Sequence, residues 1–254
     1  MAYFLFHILR NVEEVMDKAL SFSVFASAIT CLFIIVLFFA ARKLNARFDS
    51  PLLNPLFVSI LIISLLLILT GISYKDFASA SLPIHLFLEI AVVALAYPLY
   101  TQFHDIKRSF GLLCMCSFIG VSSATGLAFL LCQLFSAPEA LYKSLMALSV
   151  TTPITLIITD LLAGLPAIAA IMVILIGMFG AVFGLTLLSL FKVSDQRAKG
   201  IALGVVCHGV GTATAIDHHP QAGAFASASM IISALITALW VPILYAILSS
   251  LFGY

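Results

Sequence analysis

Long uncharged apolar runs constrain the fold of this chain more than any other feature. Two of them, 19–41 and 165–191, exceed the about 20 residues that a helix needs to cross a bilayer. Charged residues make up 9% of the chain, whereas a soluble domain usually carries about 25%. The alternating pattern of an outer-membrane barrel does not occur. The sequence therefore predicts an all-α, polytopic transmembrane protein with about seven or eight membrane segments, one or two of them interrupted or re-entrant.

The N-terminal residues differ from the rest of the chain. Residues 1–20 mix charges with apolar residues near helical spacing (Phe4, Ile8, Val12), which indicates an amphipathic lead-in lying at the membrane interface. They lack the basic-then-apolar order of a cleavable signal peptide. The remaining residues, 21–254, are predicted to form one transmembrane domain.

Basic clusters between the apolar runs predict which segments cross the membrane. We expect the three clusters to be cytoplasmic loops, because cytoplasmic loops are enriched in Lys and Arg; they lie at 42–47, 104–108 and 192–199. Three apolar segments separate the second cluster from the third: 109–133, 144–163 and 166–191. If all three segments crossed, these two clusters would lie on opposite sides.

The middle segment, 144–163, is the one that we expect not to cross the membrane. Pro153 lies near its centre and removes a helical hydrogen bond, and Thr152 before it is biased away from helix. We therefore expect two half-helices that enter and leave on one side of the membrane. The other possibility, that the third basic cluster lies outside despite its charge, stays open.

A second interruption lies at 204–220, where Gly and Thr crowd around His208 in an otherwise apolar chain. Gly209 and Gly211 weaken a helix there. A polar, loosened backbone at membrane depth is tolerated only where protein or a water-filled cavity surrounds it. This stretch is therefore predicted to line a path through the membrane.

Together the two interruptions predict a site for a small carboxylate. The N-termini of half-helices carry partial positive charge, and imidazole titrates near neutral pH. The predicted substrate-binding residues are Thr151, Thr152, Pro153, Thr155, His208, Gly209, Gly211 and Thr212. His208 and Glu89 are the proton-coupling candidates, since intramembrane ionisable groups are usually functional. An ordinary proline kink and a packing histidine remain the alternatives.

Other classes of function find no support in the sequence. The chain has no Walker loop, nucleophile elbow or zinc-protease helix, so we expect neither an enzyme nor a cofactor. The five cysteines lie in apolar runs without metal-ligand spacing, which predicts packing roles and no metal site. A net charge of +1 offers no basic field for nucleic acid.

Several short motifs resemble those of the LrgB/CidB family, which includes antiholin-like bacterial membrane proteins and the plastidic glycolate/glycerate translocator. They are Asn54-Pro55, Ala-Leu-Ala-Tyr-Pro-Leu-Tyr at 94–100, Ser-Val-Thr-Thr-Pro-Ile at 149–154, the run 198–204 leading to His-Gly-Val-Gly-Thr-Ala at 208–213, and Gly-Ala-Phe-Ala-Ser at 223–227. The resemblance covers about residues 45–250 and has the motifs in the family's order.

The resemblance implies a multi-pass protein of the bacterial inner (cytoplasmic) membrane, with 21–254 as a single LrgB-like domain. It implies transport of glycolate, glycerate or pyruvate, and we expect proton coupling. The lipid bilayer, a small carboxylate, a small LrgA/CidA-type membrane protein and further copies of the chain are the expected partners. The alternative is a holin/antiholin-like assembly that modulates murein hydrolase export and autolysis. That alternative predicts oligomerisation through Gly177, Gly180 and Gly184.

Overall fold

A computed structural model describes residues 24–48, 50, 53–94 and 96–252, without the side chains of 88, 89, 91 and 92. The predicted lead-in at 1–20 lies outside these residues. The described chain consists of helices and their connections, as predicted. It divides into two compact units, Met1–Ala94 and Leu95–Tyr254. The predicted single domain over 21–254 stays a prediction.

The first unit contains four described helices: α1 (Val24–Phe48), α2 (Pro55–Thr70), α3 (Tyr74–Ala80) and α4 (Leu82–Ala94). Asn54 caps α2, because its side-chain oxygen accepts the backbone N–H of Leu56 at 3.0 Å. The basic cluster at 42–47, predicted to lie in a cytoplasmic loop, is helical, since α1 continues to Phe48; its side of the membrane stays a prediction. The Arg, Lys, Leu and Ala residues of this cluster are good helix formers, and Arg47 in the last turn complements the helix dipole.

The second unit contains eight helices in the part of the chain that the structure describes. They are α5 (Ala96–Thr101), α6 (Phe103–Arg108), α7 (Phe110–Leu134), α8 (Glu139–Leu145), α9 (Thr152–Leu161), α10 (Pro166–Leu190), α11 (Gln196–His218) and α12 (Pro220–Phe252). By length and composition, α7, α10, α11 and α12 can each cross a membrane, as can α1. The packing of α11 excludes it from the crossing helices.

The chain reverses direction inside α11, at His208. The backbone there has φ 41° and ψ −132°, far from helical values. A methyl group added to Gly211 would lie 2.5 Å from the carbonyl oxygen of Leu203. Leu203 also shares a buried cluster with Ala215, although in a straight helix twelve residues would separate them by about 18 Å. Two antiparallel arms, 196–207 and 209–218, therefore form a helical hairpin, which we name hairpin 2.

A second hairpin, hairpin 1, comprises α8, the non-helical residues 146–151 and α9. The chain that enters its turn lies beside the chain that leaves α9, because the backbone N–H of Leu165 donates to Ser144 Oγ at 2.7 Å. Its interior is held to α7, where Thr125 Oγ1 donates to the Met146 carbonyl at 2.8 Å. The segment that carries Pro153 thus enters and leaves on one side of the unit, as the sequence predicted.

The two hairpins enter the second unit from opposite ends. Hairpin 1 joins the C-terminal end of α7 to the N-terminal end of α10, which we call the upper end. Hairpin 2 joins the C-terminal end of α10 to the N-terminal end of α12, the lower end. Only α7 and α10 then cross between the basic clusters at 104–108 and 192–199. These clusters share the lower end, where Asp105 interacts electrostatically with Arg197.

Glycines allow hairpin 2 to pack closely against both of its neighbours. On the α10 side, Gly177 faces the His208 ring, Gly180 faces Cys207 and Gly184 faces Leu203. On the α12 side, a side chain at Gly200 or Gly204 would overlap the carbonyl oxygens of Ala222 or Ala226. The prediction that Gly177, Gly180 and Gly184 form an oligomerisation face is therefore wrong. These small residues instead allow α10 to pack closely against hairpin 2 of the same chain.

Candidate functional site

His208 forms the tip of hairpin 2 near the middle of α10. It is 6% exposed, and its Nε2 lies 3.2 Å from the carbonyl oxygen of Val173. Because a carbonyl only accepts, Nε2 carries a hydrogen and donates it. The neutral ring then presents Nδ1 as an acceptor, and the described residues give Nδ1 no hydrogen-bond partner. Gly177 makes room for the ring, since a side chain there would lie 2.9 Å from Cε1.

The backbone of His208 is strained. Its positive φ with a strongly negative ψ resembles the first central residue of a type II′ turn, a position that glycine usually occupies. Within the described ranges, the other non-glycine residues with positive φ, at 136, 163 and 192, lie just after the ends of α7, α9 and α10. A strain of about 1–3 kcal/mol that persists at a buried tip is typical of functional sites.

The two hairpins share one local arrangement at their tips. In hairpin 2, Thr212 Oγ1 donates to the His208 carbonyl at 2.8 Å. In hairpin 1, Thr155 Oγ1 lies 2.8 Å from the Ala147 carbonyl and 3.3 Å from that of Thr151. In each case the threonine lies four residues after the tip residue, Thr151 or His208, and its hydroxyl donates a hydrogen bond to a backbone carbonyl of the turn. Thr155 and Thr212 therefore stabilise the tips, and their hydroxyls are already engaged.

Thr151 and Thr152 begin the returning arm of hairpin 1. Thr151 is the N-cap of α9, but its side chain makes no capping hydrogen bond, and Pro153 occupies the first turn. Both threonines are half-buried and Pro153 is exposed. Pro153 has no N–H, and the N–H of Ile154 donates to the Thr151 carbonyl at 3.0 Å, so among the described hydrogen bonds of this first turn the N–H of Thr152 is the one left for a polar guest.

The two glycines after His208 differ in their surroundings. Gly209 is exposed, and a side chain there would meet nothing within 4 Å. Gly211 is buried, and a side chain there would collide with Cys207 and Leu203. Gly211 is thus required by the close approach of the two arms, whereas Gly209 borders open space beside the tip.

Residues next to both tips line one cavity. This upper cavity, of about 520 Å³, is bounded by α7, hairpin 1 and α10, and it includes Ser149 from hairpin 1 and Val206 from hairpin 2. The predicted residues of the two segments thus lie on neighbouring elements, while no hydrogen bond joins Thr151 or Thr152 to His208 or Thr212 among the described residues. Nearly all of the lining is apolar, and Thr151, Thr152 and His208 are not among the lining residues.

The remaining predicted ionisable groups lie elsewhere. Glu89 belongs to α4 in the first unit, and its side chain is not described, so its role in proton coupling stays a prediction. Asp217, His218 and His219 are exposed at the lower end of hairpin 2. Asp160 is also exposed, near the end of α9.

Two features of the site were not predicted from the sequence. The carbonyl of Val173, which orients His208, has no sequence signal because every residue carries a carbonyl. Val206, which lines the upper cavity and a second cavity below it, is an ordinary apolar residue by type. Val206 lies between the two cavities because the chain reverses direction at His208.

The comparisons with known proteins cover most of the chain. The model of the LrgB-like family matches residues 34–247. A holin-like protein CidB of Staphylococcus epidermidis is 30% identical over 210 residues, 83% of this chain and 92% of its own length. An uncharacterized protein of Haemophilus influenzae is 31% identical over 212 residues, 82% of this chain and 90% of its own. The uncharacterized protein YwbG of Bacillus subtilis is 31% identical over 217 residues, 85% and 96% of the two chains. No solved structure matches.

Proposed function

The chain belongs to the LrgB-like family of multi-pass membrane proteins, and from this premise we propose that it is a secondary transporter of small monocarboxylates in the bacterial inner membrane. One observation carries the proposal: two helical hairpins enter the second unit from opposite ends, and the tip of one lies opposite the middle of α10. Interrupted helices of this kind build the substrate sites of many transporters near the bilayer midplane.

The chemistry at the tips supports an anionic guest of glycolate, glycerate or pyruvate type. The arm 209–218 and α9 both begin at a tip, so their partly positive N-termini face the interior of the unit. His208 Nδ1 accepts a hydrogen bond from a hydroxyl when the ring is neutral, and the protonated ring pairs with a carboxylate. Protonation of one residue therefore links the binding of an acid to a proton, which is the coupling we propose.

Uptake into vesicles tests this function. Purified protein in proteoliposomes should accumulate labelled glycolate or pyruvate when a pH gradient is imposed. His208→Gln should reduce uptake by about tenfold or more, because glutamine can still donate to Val173 but has no titratable nitrogen. His218→Gln, in the exposed end of the same hairpin, is the matched control and should keep wild-type uptake. Absence of uptake of every small acid by the wild-type protein would refute the proposal.

The names of the relatives favour a second candidate function. Several are named holin-like protein CidB. Under this alternative the chain modulates murein hydrolase export and autolysis, in assemblies with further copies or with an LrgA/CidA-type protein. Its signature is release of protein-sized dextran from the same vesicles, equally in wild type and in His208→Gln. Such release without acid uptake would favour the holin-like function over transport.

A further inference from the structure

A second cavity, which we call the lower cavity, lies between α7 and the arm 196–207. It has a volume of about 450 Å³. Most of its lining is apolar, including Leu112, Ile201 and Phe225, and its charged residues, Asp195 and Arg197, lie at one end. Neither of the predicted tip sites uses these charged residues.

The depth of the lower cavity matches one leaflet of a bilayer. Along α7 it extends from Ser109 to Gly120, eleven residues or about 16 Å of helix. Half of the hydrocarbon thickness of a bilayer is about 15 Å. Its inner end lies at Val206, two residues from the hairpin tip. A chain bound along this cavity thus reaches from the lower surface to the level of His208.

The mouth of the lower cavity carries both signs of charge. Asp195 and Arg197 form a two-bond ion pair, with Nη2 to Oδ2 at 2.8 Å and Nε to Oδ1 at 3.2 Å, and both side chains are about half exposed. This pairing holds the pKa of Asp195 down to about 2, so its carboxylate is charged at neutral pH. Nη1 of Arg197 takes no part in the pair and is available to an anion.

We propose that the lower cavity binds a phospholipid with an amine headgroup. Its acyl chain lies along Leu112, Ile201 and Phe225, its phosphate contacts Arg197, and its ammonium contacts Asp195. A mixed-charge mouth fits a zwitterionic headgroup better than a purely anionic one, because an anionic headgroup has no ammonium to pair with the Asp195 carboxylate. The upper cavity is the internal contrast, since no charged residue lines it.

Two native cysteines provide a matched test of occupancy. Cys116 lines the lower cavity, whereas Cys114, equally half-buried and two residues away on α7, does not. Variants that keep only one of the two are reacted with a small thiol reagent in detergent, with or without dioleoyl phosphatidylethanolamine. With lipid at about ten times its Kd, modification of Cys116 should slow about tenfold. Modification of Cys114 should not change.

Several outcomes of the labelling experiment would overturn the lipid site or its headgroup assignment. Equal slowing of both cysteines, or no slowing of Cys116 by any phospholipid, overturns the site. Equal protection by dioleoyl phosphatidylglycerol overturns the assignment of the amine headgroup. A filling variant gives an independent measure: Ala202→Phe should lose the lipid retained in native mass spectra, whereas Ala128→Phe, which fills the upper cavity, should retain it. Retention by both variants overturns the site as well.

Discussion

Substitution of Gly180 by alanine tests the close packing of hairpin 2 on α10. A methyl group at this position would overlap Cys207 Sγ and lie 2.7 Å from Cys207 Cβ. Rotation of the thiol removes only the first contact, because Cβ is fixed by the backbone. The two helices must therefore separate by several tenths of an ångström, and overpacking of this kind costs about 1–3 kcal/mol. We expect the midpoint of thermal unfolding to fall by about 2–10 °C.

The assay is thermal unfolding of the purified protein in one detergent, with two comparisons. Gly126→Ala on α7 is the control, since a methyl group there meets nothing within 4 Å, and helix propensity alone should stabilise it by about 0.5–1 kcal/mol. The double variant Gly180→Ala/Cys207→Gly removes both Sγ and Cβ of residue 207 and should recover part of the loss, with a coupling of about 0.5–3 kcal/mol. Wild-type stability of Gly180→Ala, or additivity of the two substitutions, would contradict this close packing.

Three further predictions concern the hairpin and its base. Gly204→Ala should destabilise more than Gly180→Ala in the same assay, because its methyl group would overlap the backbone oxygen of Ala226, which cannot rotate away; equal losses would contradict this packing. His208→Gly should unfold at a higher temperature than His208→Ala, since glycine adopts φ 41° without strain; the opposite order would contradict the tip geometry. The Arg197 ion pair lowers the pKa of Asp195 from 3.8 to about 2. The ion pair therefore stabilises the folded protein fully at pH values above 3.8, and this stabilisation is lost as the pH falls toward 2. Asp195→Asn keeps a capping side chain, so it should cost less than about 1 kcal/mol of stability at pH 7. It should also remove this pH dependence, and an unchanged dependence of stability on pH in the acid range would contradict the prediction.

The sequence predicts the interrupted segments because their residues carry the signal themselves. Proline at 153 cannot donate a helical hydrogen bond, and the glycines at 209 and 211 weaken a helix. The parity of basic clusters then assigns hairpin 1 correctly, since charge at the lower end requires an even number of crossings. Both signals arise from local chemistry and from the presence of the bilayer.

The sequence does not predict what each small residue faces. Gly177, Gly180 and Gly184 have the spacing of a helix-packing face whether the partner is another subunit or the next helix of the same chain. The reversal at His208 is equally hidden, because a histidine with positive φ has no sequence signature. Without that reversal, 196–218 has the length and composition of an ordinary crossing helix.

Labelling of single cysteines from each side of the membrane tests the central claim, that α11 is a hairpin and does not cross. In a cysteine-free background, Ser194→Cys and His219→Cys lie before and after the hairpin, and Ser136→Cys lies at the upper end; all three positions are exposed. A membrane-impermeant thiol reagent should modify Ser194→Cys and His219→Cys from one side and Ser136→Cys from the other. Modification of His219→Cys from the same side as Ser136→Cys would mean that α11 crosses the membrane, and would contradict the account.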